Sequence, residues 1–111
     1  MNTSLEYTAN VLTPTAVNEL TGTTVLLFGV NWCGHCQAAA PLITEAFANF
    51  PDIQLLCIED GAGRPLGRSF KVKLWPTLVF LVNGKEAGRV VRPLDSNVIL
   101  DVLKKLPKKV N

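Results

Sequence analysis

Apolar residues in this chain fall into short runs and helical stripes. Val25-Leu-Leu-Phe-Gly-Val30 and Ile53-Gln-Leu-Leu-Cys-Ile58 are nearly continuous apolar stretches of strand length. Stretches that are apolar toward both faces suit central strands of a parallel sheet covered by helices. Between them, Ala39, Ile43, Phe47 and Phe50 recur at helical spacing over Cys36–Phe50, and Pro51 ends the pattern. Strand, helix, strand in that order predicts a βαβ unit with a right-handed crossover.

Further on, Gly61-Ala-Gly63 reads as a loop, and Pro65 suits the first turn of a short helix to about Phe70, weakened by Gly67. Thr77–Val82 is apolar, Asn83-Gly84 follows, and Lys85–Val91 resumes a strand pattern; Asn-Gly between two such runs signals a hairpin. Asp95 or Ser96 can cap a last helix whose Ile99, Val102, Leu103 and Leu106 form one stripe, stopped by Pro107. Toward the N-terminus, Leu5–Ala9 suits a short edge strand and Pro14–Leu20 a first helix. The order is β-α-β-α-β-α-β-β-α. It predicts an α/β fold whose mixed sheet of four or five strands is flanked by about four helices.

Composition narrows the classes. At 111 residues, the chain fits one domain over residues 1–111. It is 48% hydrophobic and 18% charged, which suits a packed core rather than a disordered chain. A formal charge of +2 provides no strong field for nucleic acid. Lys104, Lys105, Lys108 and Lys109 suit a solvated helix end. No apolar run approaches the length of a membrane helix, and Met1–Glu6 has no signal-peptide pattern, so a cytoplasmic location is expected.

The cysteines carry the chemistry. Cys33, Cys36 and Cys57 are an odd set, which argues against a structural disulfide framework. Cys57 lies in an apolar run and reads as a small core hydrophobe. Cys33 and Cys36 lie at a strand–helix junction in Trp32-Cys-Gly-His-Cys36. At a helix N-terminus, unpaired N–H groups and the dipole stabilise a thiolate, the nucleophilic form. Cys33 should attack a disulfide, and Cys36, one turn away, should resolve the mixed disulfide. The pair also has zinc spacing. Tetrahedral zinc needs four ligands, however, and only Cys57 and His35 remain as soft donors. A pair placed after a strand in a βαβ unit favours redox chemistry, with no metal.

Trp-Cys-Gly-x-Cys at this junction resembles the thioredoxin family, as do Pro41 five residues after Cys36, Trp75-Pro76-Thr77 opening a later strand, and Asn83-Gly84 in the hairpin. The resemblance covers nearly the whole chain and implies the thioredoxin fold. It implies that Trp32, Gly34, His35 and Pro76 support the Cys33/Cys36 site. Pro41 matches the proline that kinks the active-site helix, and Pro76 the cis proline facing the cysteines. It also implies a substrate groove at Trp75, Thr77 and Arg92, where the backbone before the cis proline pairs with an extended substrate. Protein disulfides would be the substrates. The Cys33–Cys36 pair would carry the electrons without another cofactor, recharged by a thioredoxin reductase-type donor, and the protein would act as a monomer.

Three positions depart from the family pattern. His35 replaces proline, and Gly-His between the cysteines is similar to protein disulfide isomerases. A histidine there would stabilise the reduced form and make the disulfide more oxidising. Leu27 falls where the family has a buried carboxylate that deprotonates the second cysteine, and leucine takes no proton. By topology Glu59 and Asp60 are the nearest replacements, though a strand end is usually solvated. Arg92 lies near a small residue of the family's groove, where it would narrow the groove and either favour acidic partners or stabilise the Cys33 thiolate. The expected function is disulfide reduction. Oxidase or isomerase activity, or a binding subunit of a larger assembly, are the alternatives.

Overall fold

A computed structural model describes residues 5–9 and 12–106. The Asn83-Gly84 dipeptide organises its hairpin as the sequence predicts. Both residues have positive φ, 51° and 80°, the conformation that matches the twist of two antiparallel strands. They join β3 (Thr77–Val82) to β4 (Lys85–Val91). Gly84 is also sterically required, because a Cβ there would press on the Val17 and Asn18 backbone. Asn83 Oδ1 accepts the Gly22 N–H at 2.9 Å, tying the turn to the start of β1 (Thr23–Gly29).

β1 is the central strand on which the rest is built. It pairs in parallel with β2 (Gln54–Glu59) and antiparallel with β3, giving the sheet order β2-β1-β3-β4. Its alternating residues explain the continuous apolar run. Val25 and Leu27 point to one core with Ala39 and Ile43 of α2 (Gly34–Phe47) and Ile99 and Leu103 of α4 (Ser96–Lys105). Leu26 and Phe28 point to the other, with Val17 of α1 (Pro14–Asn18) and Leu66 of α3 (Pro65–Ser69). Each face of the sheet is thus closed by two helices.

Caps set the helix starts. Thr13 Oγ1 accepts the Ala16 N–H ahead of Pro14, and Asp95 rather than Ser96 caps α4 by accepting the Val98 N–H at 3.2 Å. At the end of α4, Leu106 turns to extended backbone, as a residue before proline does, and docks in the core. Pro107, Lys108 and Lys109 lie outside the described residues.

Two expectations change. β2 is an edge strand, not a central one, because Leu5–Ala9 adds no full strand beside it. That segment makes one parallel bridge, Thr8 to Ile58, with the Glu59 N–H donating to Thr8 O at 2.9 Å. Gly67 is not merely a weak point of α3, either. It is buried, and a Cβ there would enter the Asp60 carboxylate. Among the described residues no helix is long and apolar enough to cross a membrane.

Candidate active site

The β1–α2 junction places the cysteines. Cys33 is the N-cap of α2, with extended backbone, and its carbonyl accepts the first helical bond from the Gln37 N–H at 3.0 Å. Cys36 lies one turn in and is buried, whereas Cys33 is half-exposed. All three cysteines are thiols. Burial by itself would raise the Cys33 pKa. The Cys36 N–H, the Cys36 thiol, the His35 N–H and the Arg92 charge outweigh it and hold Cys33 below an ordinary thiol. No conventional side-chain cap bond closes here; the N–H groups act on the sulfur once it is charged. Burial pushes Cys36 up to about 11. The Val30 N–H opposes that rise, and the adjacent Cys33 sulfur reinforces it. Cys33 thus ionises more readily than Cys36, the inequality that sequential attack requires.

Behind the sulfurs lies a layer that the sequence reading does not find. Tyr7, the chain's single tyrosine, is 4% exposed and shares a core with Leu27, Cys36 and Ala39. Asn31 clamps its backbone on both sides. Asn31 Oδ1 accepts the Tyr7 N–H at 2.8 Å, and Asn31 Nδ2 donates to Tyr7 O at 3.0 Å. Gly29 leaves the room, because a Cβ there would lie 2.6 Å from Cys36 Sγ and 2.8 Å from Tyr7 Cε2. A lone aromatic in a short polar segment was the available signal, but nothing local says where such a segment docks.

A sequence profile of the thioredoxin family matches residues 8–105. The chain belongs to the thioredoxin family. Thioredoxin 2 from Pseudomonas aeruginosa PAO1, solved in its reduced form, is 48% identical, with a TM-score of 0.83, over 90% of this chain and 93% of that one. Thioredoxin H5 of Oryza sativa subsp. japonica is 33% identical over 69 residues, 62% of this chain and 51% of its own length. A probable protein disulfide-isomerase A6 of Medicago sativa is 35% identical over 85 residues, 70% of this chain and 23% of its own length. The chain thus spans about half or less of these two curated relatives.

Around the thioredoxin-family motif, the other expected site residues divide. Trp32 is 75% exposed, and its ring meets Trp75 edge to face at 5.8 Å between centroids. Gly34 and His35 are exposed in the first turn of α2. The Trp75–Pro76 bond is cis. Trp75 is half-buried, and its Nε1 donates to Asp60 at 2.9 Å. Thr77 does not line a groove: it is 1% exposed, and its hydroxyl donates to Leu74 O at 2.6 Å. Arg92 does reach this face. Its φ is 50°, a left-handed conformation suited to a small residue, and its Nε donates to Trp75 O at 2.9 Å. Exposed Leu74 and Val91 are the chain neighbours of Trp75 and Arg92, so apolar surface surrounds the junction.

Both carboxylates at the end of β2 have other partners. Glu59 pairs with Arg64 at 2.7 Å in a partly exposed bridge, and Asp60 holds Trp75. Leu27 is fully buried. Cys57, on β2, packs against the core, and burial pushes it up to about 11. No group of three or more potential metal ligands gathers among the described residues.

Two predictions follow from these charges. Arg92→Met should raise the Cys33 pKa, read as a shift of its alkylation profile to higher pH. An unchanged profile would mean that the guanidinium is not felt at the sulfur. The second concerns stability at alkaline pH. Cys36 and Cys57 have folded pKa values raised above the ordinary 9.0, so their contribution is complete below that value and lost as pH rises through about 11. The expected loss is of the order of 2 kcal/mol for Cys36 and less for half-buried Cys57. Cys33 works oppositely, its contribution being complete above the ordinary thiol value and lost as pH falls through its own lowered pKa. Thermal melting of the reduced protein should therefore fall between pH 9 and 11 more than that of the oxidised protein, which has no Cys36 thiol. Parallel declines would contradict the assignment.

Proposed function

We propose that this protein is a thiol–disulfide oxidoreductase that reduces disulfides in other proteins through Cys33 and Cys36. The observation that carries this reading is the unequal pair at the start of α2: a half-exposed Cys33 at the N-cap, its pKa lowered, beside a buried Cys36 whose pKa is raised. Membership of the thioredoxin family supports it. Trp32, Trp75 and the backbone at Pro76 offer an apolar, extended docking surface, which suits unfolded or loop segments of protein substrates. Gly34 lets substrate backbone approach, since the space a Cβ would occupy is open. The electrons are carried by the cysteine pair itself and renewed by a reductase of the thioredoxin-reductase type, in the cytoplasm, with the protein acting as a monomer.

Turbidimetric reduction of insulin by dithiothreitol tests the reading. Micromolar protein is expected to accelerate precipitation clearly over the reductant alone, and equal rates would contradict it. An oxidising direction is the second reading, favoured by the Arg92 charge acting on Cys33, because stabilising the thiolate favours the dithiol form. A redox titration against glutathione separates the two. A potential near that of ordinary thioredoxins supports the reductase, and one near that of protein disulfide isomerases supports the oxidant.

A further inference from the structure

We propose that Tyr7 is a catalytic residue of the resolving step: its phenolic O–H, brought against Cys36 through the gap at Gly29, donates to the Cys36 sulfur as that sulfur becomes an anion. The proposal rests on the exchange function above and deepens it.

Tyr7 Oη is fully buried and has no hydrogen-bond partner of ordinary geometry. Native folds rarely leave such a group unpaired without a reason. Its ring and the Cys36 sulfur meet over Gly29, where an added Cβ would lie 2.6 Å from Sγ and 3.0 Å from Cζ, the carbon bearing the hydroxyl. The hydroxyl already acts on Cys36 in the resting site and lowers that thiol's pKa against the effect of burial. A neutral thiol is a poor acceptor and a thiolate a strong one, so this contact strengthens as the sulfur ionises. Asn31 holds the Tyr7 backbone from both sides and, through its own carbonyl, accepts Gln37 Nε2 of α2 at 2.9 Å. The donor is thereby fixed to the helix that carries Cys36. The ionisable groups that act on Tyr7 are Cys36, Cys57 and Cys33, and Arg92 acts on Cys33. Burial, with the three thiols behind it, holds the Tyr7 hydroxyl far above the usual phenol range, so it stays a donor and never serves as the base.

The reaction balances without another reagent. The Cys33 thiolate attacks a substrate disulfide, forming a Cys33–substrate bond and expelling one substrate thiolate with the electron pair. Cys36 gives up its proton, which passes through solvent to a departing thiolate. The Cys36 sulfur then attacks Cys33 Sγ, so the Cys33–Cys36 bond forms and the second substrate sulfur leaves with its electron pair. The substrate gains two electrons and the dithiol loses two. Tyr7 supports the charge on Cys36 in the second step, where Leu27 cannot.

Tyr7→Phe keeps the ring and removes the donor. Reaction of the reduced protein with a chromogenic aromatic disulfide releases two thiols in sequence, the first by Cys33 and the second by Cys36. In Tyr7→Phe the first release should be unchanged. The second should be about threefold slower at pH 7: a one-unit rise in the Cys36 pKa lowers its thiolate fraction tenfold, and higher intrinsic nucleophilicity restores about threefold. Once Cys36 is fully ionised in both proteins the deficit should vanish and reverse, because the less stabilised thiolate is the stronger nucleophile. In a Cys33→Ser background, ultraviolet titration of the Cys36 thiolate should show its pKa raised by about one pH unit on adding Tyr7→Phe. Coincident pH–rate curves and unchanged titrations would overturn the proposal, as would a second release slowed equally at every pH. Absence of any thiol release by the wild-type protein would instead overturn the exchange function, and the role of Tyr7 with it.

Discussion

Serine at position 33 is expected to reduce disulfide exchange to the rate of the added reductant alone. The hydroxyl that replaces the thiol keeps its proton at neutral pH, and the N–H groups of His35 and Cys36 then have no anion to stabilise. Cys36 cannot substitute, being buried and pushed up to about 11. Cys36→Ser should behave differently: Cys33 still attacks, but the mixed disulfide is not resolved and accumulates. Mass spectrometry of the protein after incubation with a disulfide-bonded peptide checks both. A covalent adduct is expected with Cys36→Ser and none with Cys33→Ser. The reverse pattern would exchange the roles of the two sulfurs.

Leu27→Asp should strongly destabilise the core. It places a carboxyl where the family has one, but in a site built for leucine. Leu27 is fully buried on β1, opposite Cys57 of β2 and Leu78 of β3. The substitution removes apolar packing and buries a polar group with no partner prepared for it. Together these cost about 3 kcal/mol, with the carboxyl pushed toward its neutral form. For a domain of this size that lowers the melting temperature by on the order of 15 °C. Leu27→Ala in parallel separates the cavity from the buried carboxyl. A melting temperature within a few degrees of wild type for Leu27→Asp would show that the site is already hydrated.

Much of the fold is legible in the sequence because its signals are local. Val25–Val30 is apolar toward both faces, Asn83-Gly84 adopts the φ values of its turn, and Asp95 caps the helix after it. What escapes depends on partners distant in sequence. The Ile53–Ile58 run reads as central, yet its strand is an edge because Leu5–Ala9 contributes one bridge rather than a strand. Residue spacing cannot report that contact. The same holds at the site. Cys33 and Cys36 are readable because their chemistry belongs to neighbours in the chain, and Pro76 is readable only through the family resemblance. Tyr7, Gly29 and Asn31 are not, because Asn31 must reach across twenty-four positions to hold Tyr7. Thr77 looked available for substrate, but its hydroxyl closes a turn onto Leu74. Arg92 was recognised as unusual, while its bond to the Trp75 carbonyl needed the folded backbone.

That bond bears on substrate capture. The Trp75 carbonyl would accept from an extended substrate, and Arg92 Nε already occupies it at 2.9 Å. A carbonyl oxygen has two lone pairs, so a substrate N–H would share that oxygen with Arg92 rather than displace it.

The pH dependence of Cys33 alkylation by iodoacetamide, followed residue by residue by mass spectrometry on the reduced protein, tests most directly whether a stabilised sulfur anion starts the reaction. The expected profile has Cys33 modified first, with its inflection clearly below that of an unperturbed thiol, while Cys36 reacts only at much higher pH. An inflection at or above the unperturbed value, or modification of Cys36 ahead of Cys33, would contradict it.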